Sequence, residues 1–359
     1  MIPIGIQLPV LWRGMLTLAA ATAGGYAAVL ASVPLPWVLG AMLGTAVVIL
    51  PGLGARQALP LRRLAQVAIG TALGLSFTED VVQQLISLGH WILLACTLSI
   101  GMSAVFSRAI QRMAQMDGPT AIYAVATGAS SEMALQAQQA GANGAQVAAA
   151  HAVRIILVVS LASVVAQLSG ANVGPTYFSS GAPILSWPLG VLFLMLAPVC
   201  GWLAHRVRFP NGWLLGPVIL AAAFAVTGTV GRVHPTVLVL AQILIGWGLG
   251  QHMTRKFFIK SPRMLAAAAL VTVAMLALCV LVAWGASQAS ATSLLTTFLS
   301  LAPGGTAETA LIAKNYGISA PIVTAFHVFR VIATVLLIRH LAAALLRCGW
   351  LTARAPGTA

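Results

Sequence analysis

Acidic residues are what this sequence has least of: Glu79, Asp80, Asp117, Glu132 and Glu308 are the only five in 359 positions. Charged residues make up 7% of the chain against 60% hydrophobic ones, which excludes an ordinary soluble domain with a polar coat. Cys96, Cys200, Cys279 and Cys348 lie far apart with no C-x-x-C, so neither a disulfide framework nor a thiolate metal cage is indicated. The seven histidines, at 90, 151, 205, 234, 252, 327 and 340, form no H-x-x-x-H or H-x-x-H-H, the close helical spacing that a membrane oxygenase's metal centre would use. There is no G-x-x-x-x-G-K-[ST] phosphate loop, so direct ATP-driven transport is not expected. Nucleic-acid motifs are absent as well. The net charge of +14 is therefore read as loop charge of a membrane protein, with no nucleic-acid partner.

What is present is apolar sequence in long blocks. Runs near twenty residues recur at 14–31, 84–107, 146–168, 187–203, 264–285 and 319–338. They lack period-2 alternation, and a bilayer interior admits only elements whose backbone bonds close internally. The expected fold class is an all-α polytopic membrane protein. Residues 12–31 are expected to be a retained first helix and not a cleaved signal peptide, because they have a counterpart at 188–207.

That counterpart is one of several. LAQVAIGTALGLSFT (64–78) matches LAQILIGWGLGQHMT (240–254) at 8 of 15 positions, and 120–154 matches 296–330 at 12 of 35. Trp37 and Trp213, Gln66 and Gln242, Glu132 and Glu308, His151 and His327, and Arg154 and Arg330 are all separated by one constant interval, without a gap. The expected organisation is two tandem repeats, 12–168 and 188–344, joined by a linker over 169–187. Basic residues fall on opposite loops in the two halves: Arg56, Arg62 and Arg63 in one, Arg255, Lys256, Lys260 and Arg263 in the other. By the positive-inside rule this predicts inverted topology, which requires an odd number of crossings per repeat. Of six segments per repeat, the fifth (119–140 and 295–314) is expected to be broken or re-entrant, since TGASSE and PGGTAE make poor helix. The alternative is that 64–78 fails to span. The preferred count is about ten transmembrane helices plus one broken segment per repeat, with both termini cytoplasmic.

Glu132 and Glu308 are the only acids set inside apolar segments, each just beyond a glycine break. Ser130 or Ser131, and Thr306, are expected to cap the half-helices that follow. His151 and Arg154, like His327 and Arg330, share one face of the next helix. With Gln66 and Gln242 these residues form the candidate substrate or ion site, since ionisable groups at membrane depth mark function by default. Two plainer readings stay open: each Glu neutralises its own repeat's Arg, and each His hydrogen-bonds a nearby carbonyl. The glycine pairs Gly70/Gly74 and Gly246/Gly250 suggest close helix packing, and Trp37 and Trp213 suggest interfacial anchors.

The duplicated P-x-x-W-x-L-G, LAQ-x-x-IG-x-x-LG and G-x-x-x-E…H-x-x-R blocks resemble the AbrB family of bacterial integral membrane proteins. The resemblance implies a multi-pass inner-membrane protein grouped with inverted-repeat transporters related to cation–proton antiporters. Members carry labels as regulators of gene expression and as ammonia monooxygenases. No catalytic residues come with the resemblance, and the halves differ at Thr127/Pro303 and Ser131/Ala307. The expected function is secondary transport of a small solute, coupled to protons. An indirect regulator of gene expression is the alternative, and a membrane monooxygenase a weaker one. No enzyme activity, cofactor or metal is expected. The expected partners are the lipid bilayer, the solute and protons, and a homo-oligomer is compatible.

Overall fold

A computed structural model describes residues 10–33, 35–168, 183–229, 231–255, 262–289 and 293–353. Most of the expected linker and of the basic loop 255–263 falls outside these residues. The described elements are helical, apart from one isolated bridge between Ile184 and Arg232. In chain order the helices are α1 Val10–Leu30, α2 Pro36–Ile49, α3 Leu59–Gly74, α4 Glu79–Ser87, α5 Gly89–Ala114, α6 Gly118–Val125, α7 Ser130–Gln139 and α8 Gly144–Leu168. They continue as α9 Trp187–Arg206, α10 Gly212–Val226, α11 Pro235–Gly250, α12 Pro262–Ala289, α13 Leu294–Leu301, α14 Thr306–Asn315 and α15 Ala320–Arg347. The starts of α2, α3, α6, α7 and α8 reappear as those of α10, α11, α13, α14 and α15, displaced by the interval that separates Trp37 from Trp213.

Among the described residues, five helices are long and apolar enough to cross a membrane: Gly89–Ala114, Gly144–Val165, Trp187–Arg206, Pro262–Gln288 and Ala320–Arg347. Pro36–Ile49, Gly212–Val226 and Pro235–Gly250 are shorter apolar helices. Many of their large side chains point away from protein, including Leu194 on α9 and Leu336 on α15, 69% and 64% exposed. Water would penalise such faces, whereas lipid tails solvate them.

The chain divides into two compact units, one of Met1–Ala65 with Thr236–Lys260 and one of Gln66–Pro235 with Ser261–Ala359. In the first, α1, α2 and α11 pack around Ala21, Ala41 and Ile243. In the second, α5, α6, α7 and α8 assemble with α12, α13, α14 and α15, and the carboxyl-terminal part of α3 lies against α10. The third helix of each half thus packs on the second helix of the other half, inside one unit. Glycine makes both contacts possible. A Cβ on Gly246 would come 2.5 Å from the Val38 carbonyl oxygen, and one on Gly250 would run into that of Met42. Gly70 and Gly74 meet the Leu214 and Val218 carbonyls in the same way. The G-x-x-x-G pairs are therefore close-packing devices.

Residues 79–87 form a helix of their own ahead of α5, with Glu79 and Asp80 in its first turn, where the helix dipole favours carboxylates. One expectation changes. The Trp37 ring rests on Gly25 and the Trp213 ring on Gly201, so these tryptophans fill a notch in the preceding helix and do not act only as interfacial anchors. Gly246→Val should lower the thermal unfolding midpoint in detergent by the equivalent of about 1–3 kcal/mol, the cost of overpacking a tight contact. Gly14→Ala, with open space at its Cα, should leave the midpoint in place. Equal behaviour of the two variants would contradict this packing.

Candidate functional site

The fifth segment of each half is two short helices separated by four residues. α6 ends at Val125 and α7 begins at Ser130; α13 ends at Leu301 and α14 begins at Thr306. Asp117 starts α6 by accepting from the Thr120 amide at 2.7 Å, and Ser293 starts α13 by accepting from the Thr296 amide at 3.2 Å. Each break creates the same difficulty. The last carbonyls of the first half-helix lose their helical partners, and this interior holds no bulk water to replace them.

One carbonyl of each set keeps a backbone donor: Ala126 N–H donates to Ile122 and Ala302 N–H to Phe298. Several others are met from α8 and α15. His151 Nε2 lies 2.9 Å from the Tyr123 carbonyl, and Arg154 Nη1 donates to the carbonyls of Val125 and Ala126 at 3.2 and 2.7 Å. In the second half His327 Nε2 lies 2.9 Å from the Leu299 carbonyl, and Arg330 Nη1 donates to Leu301 and Ala302 at 3.3 and 2.7 Å. Arg330 Nη2 also donates to Gly304 at 3.2 Å.

These contacts fix the imidazole state. A carbonyl oxygen can only accept, so Nε2 carries the proton in each histidine. Nδ1 is then the acceptor, and it takes a hydrogen bond from its own arginine's Nη2 at 3.1 Å in both halves. Both rings are neutral in this arrangement. An imidazolium would have no lone pair for the guanidinium and would set two cations side by side. His151, Arg154, His327 and Arg330 are all at least 97% buried.

The acids sit at the other side of each break. Glu132 is the third residue of α7 and Glu308 the third residue of α14, where the amide end of the dipole favours a carboxylate. The Glu308 carboxylate folds back over Gly305, so that a Cβ there would overlap it. This is the reach of a capping box, in which a Glu at the third position serves the helix start. Ser130 and Thr306 do not cap these helices. The N-caps are Ala129 and Gly305, without a side-chain cap bond, because Ser130 and Thr306 already occupy the first helical position. The hydrogen bonds of Arg154 and Arg330 go to carbonyls and imidazoles.

Gln66 lies elsewhere, its Nε2 donating to Asn211 Oδ1 at 3.0 Å beside the start of α10. Gln242 belongs to the other unit, is 1% exposed and leaves its Oε1 without a hydrogen-bond partner among the described residues.

Sequence reasoning missed the residues through which the halves meet. The Thr127 hydroxyl in the first break contacts Ser99 Oγ on α5 and lies 3.4 Å from Thr334 Oγ1 on α15. Gly304 in the second break packs against Val158 on α8, the first-half counterpart of Thr334. The second half-helices lean across in the same reciprocal way. Gln136 on α7 donates to the Val335 carbonyl at 3.3 Å, and Tyr316 after α14 donates to the Ser163 carbonyl at 3.0 Å. Lys314, in the last turn of α14, donates to the Ala72 carbonyl of α3 at 2.8 Å. The position of Thr127, opposite Pro303 in the other half, was the one available signal. Isolated serines and threonines in an apolar helix carry none.

Comparison with known proteins supplies a family. The family model described as "Transition state regulatory protein AbrB" matches residues 4–107 and 37–346. A protein of Escherichia coli (strain K12) named "Putative regulator AbrB" is 25% identical over 338 residues, covering 92% of this chain and 95% of its own. One from Bacillus subtilis (strain 168), named "Uncharacterized protein YhjN", is 26% identical over 293 residues, covering 77% and 76%.

The carbonyl clamp makes a stability prediction. Arg154→Lys keeps the charge but loses the planar fork, so one amine cannot serve two carbonyls and a ring nitrogen together. Each buried carbonyl left unpaired costs about 1–3 kcal/mol. Arg154→Lys and His151→Ala should each lower the thermal midpoint of the purified protein, and the double variant should lose less than the sum because the two side chains act as a unit. A wild-type midpoint for Arg154→Lys would mean that the break does not need the guanidinium.

Proposed function

This chain belongs to the AbrB family, and on that premise we propose that it is a secondary transporter of a small solute, coupled to protons, with its site at the two broken helices. The observation that carries this reading is the pair of four-residue interruptions, at 126–129 and 302–305, inside one compact unit of apolar helices. An interrupted helix at membrane depth exposes backbone dipoles that a continuous helix hides, and it is how many transporters build ion and solute sites. In the finer form of the proposal the halves are inverted repeats with five crossings each, about ten in all. Both termini and the Arg- and Lys-rich loops then face the cytoplasm of the inner membrane.

Proton coupling falls to Glu132 and Glu308. The histidines are held neutral by hydrogen bonds at both ring nitrogens, and the arginines are committed to carbonyls. The two carboxyls, at matching places in the first turns of α7 and α14, are the remaining groups able to take up a proton near the breaks. A second reading is favoured by the name of the Escherichia coli relative, a regulator. A membrane protein of this kind would act on gene expression indirectly, through the solute it moves.

Two experiments test the proposal. Cysteine at Val82 should label from outside and cysteine at Phe258, which lies outside the described residues, only from inside; labelling of both from one side would rule out inversion. In proteoliposomes tested across a solute panel with and without a pH gradient, Glu132→Gln or Glu308→Gln should abolish gradient-driven uptake while solute exchange persists. Unchanged pH dependence in both variants would leave the carboxyls as scaffold and refute the coupling.

A further inference from the structure

A cavity of about 40 Å³ lies in the second compact unit, between α5, α12, α13 and α15. It reaches from Trp91, in the first turn of α5, and Ala286, in the last turn of α12, to Leu301, the final residue of α13. The Leu301 carbonyl accepts from Arg330, so the cavity ends at the second break. Phe326 of α15, itself buried, lines it as well.

The lining suits an apolar occupant. Among the described residues no charged side chain borders the space. Its three hydroxyls have partners within α13 and its cap. Ser300 Oγ donates to the Thr296 carbonyl at 2.8 Å, Thr297 Oγ1 donates to the Ser293 carbonyl at 3.1 Å, and Thr296 Oγ1 lies 2.8 Å from Ser293 Oγ. Water gains little in a space of this kind.

The rim faces lipid. Leu94 of α5 borders the cavity and is 53% exposed, and Leu93, Leu281 and Trp284 on the same two helices, α5 and α12, are exposed too. Both helices are long and apolar enough to cross a membrane, so such faces meet acyl chains and not water. Trp91 and Leu98, which both line the cavity, are about 10 Å apart along the helix axis, less than the roughly 15 Å of hydrocarbon in one leaflet.

The first half fills the same place with protein. Val271, Ile110, Val125 and Ala150 are the counterparts of Ala95, Ala286, Leu301 and Phe326, and they line a space of about 10 Å³. Val125 is buried there, whereas Leu301 is partly exposed. On α5 and α12, alanine at 95 and 286 stands where the counterparts carry the larger Val271 and Ile110.

We propose that this cavity seats the end of an acyl chain of the surrounding bilayer, which enters past Leu94 and rests on Leu301 and Phe326. The space suits a few methylenes, and the remainder of the chain stays in its leaflet. The bilayer thereby supplies at the second break the bulk that Ile110 and Val271 supply at the first. This site does not depend on the transport reading.

The test uses the purified full chain in nanodiscs doped with a phospholipid that carries a diazirine midway along one acyl chain. After photolysis, the labelled residues are mapped by mass spectrometry. Label should appear on Leu301 and Phe326 as well as on the exposed Leu281 and Trp284, and Val125 and Ala150 should stay unlabelled. Ala286→Ile and Ala95→Val install the counterpart residues and fill the space, so each should cut the label on Leu301 and Phe326 about tenfold while leaving that on Leu281 and Trp284 in place. Label confined to the exposed residues would overturn the acyl-chain site. So would equal labelling of the two halves, or label on Leu301 and Phe326 that survives both filling variants.

Discussion

A helix broken in a dry interior leaves its last carbonyl oxygens without donors, and this molecule is organised around supplying them. A buried carbonyl without a partner costs free energy comparable to a lost hydrogen bond, and here each of two breaks presents several. The H-x-x-R pair answers this from the next long helix in the half. Its spacing of three places the imidazole and the guanidinium on one face, where they reach carbonyls of Tyr123, Val125 and Ala126, or of Leu299, Leu301 and Ala302. Cations are suited to this end of a helix, where the dipole is negative, just as Glu132 and Glu308 are suited to the amide ends of α7 and α14. Each side chain that looked like a functional ion in an apolar sequence is thus matched to a helix terminus. That does not remove the residues from function, because the same backbone ends are what an interrupted helix offers a ligand.

Equivalence between the halves stops at the lining. The clamp is reproduced almost atom for atom, with the same acceptors at the same offset. Its hydrogen bonds measure 2.9, 3.2, 2.7 and 3.1 Å in the first half and 2.9, 3.3, 2.7 and 3.1 Å in the second. Around it, Ser99, Ser103, Thr127 and Thr334 line one break, while Met275, Cys279, Pro303 and Val158 hold the matching places at the other. The duplicated scaffold resists change because backbone geometry dictates it. The lining is free to diverge.

The duplication and the broken fifth segments were legible in the sequence because they rest on identities at one offset and on glycine, whose helix penalty does not depend on context. The family was legible for the same reason. What was not legible is which partner a buried charge takes. Glu132 and Arg154 are the only formal charges between Gly118 and His205, which left an ion pair open beside a ligand site, yet an arginine has five donors and a helix end has several acceptors. The caps shifted by one residue because Ser130 and Thr306 already sit inside their helices. The hydroxyl cluster was invisible because its members come from α5, the first break and α15, brought together by packing alone.

The two breaks are also linked mechanically through α8 and α15. α8 clamps the first break with His151 and Arg154, and further along it meets the second through Val158 against Gly304 and the Ser163 carbonyl under Tyr316. α15 clamps the second break with His327 and Arg330, and it meets the first through Thr334, Val335 and Arg339, the last donating to Gln139. Each long helix therefore holds one break by charge-assisted bonds to its carbonyls and touches the other half through side chains further along its length. A shift of α15 that keeps its own clamp closed must slide past the first break, and α8 stands in the same relation to the second. The two breaks therefore share α8 and α15 as common supports, each helix touching both.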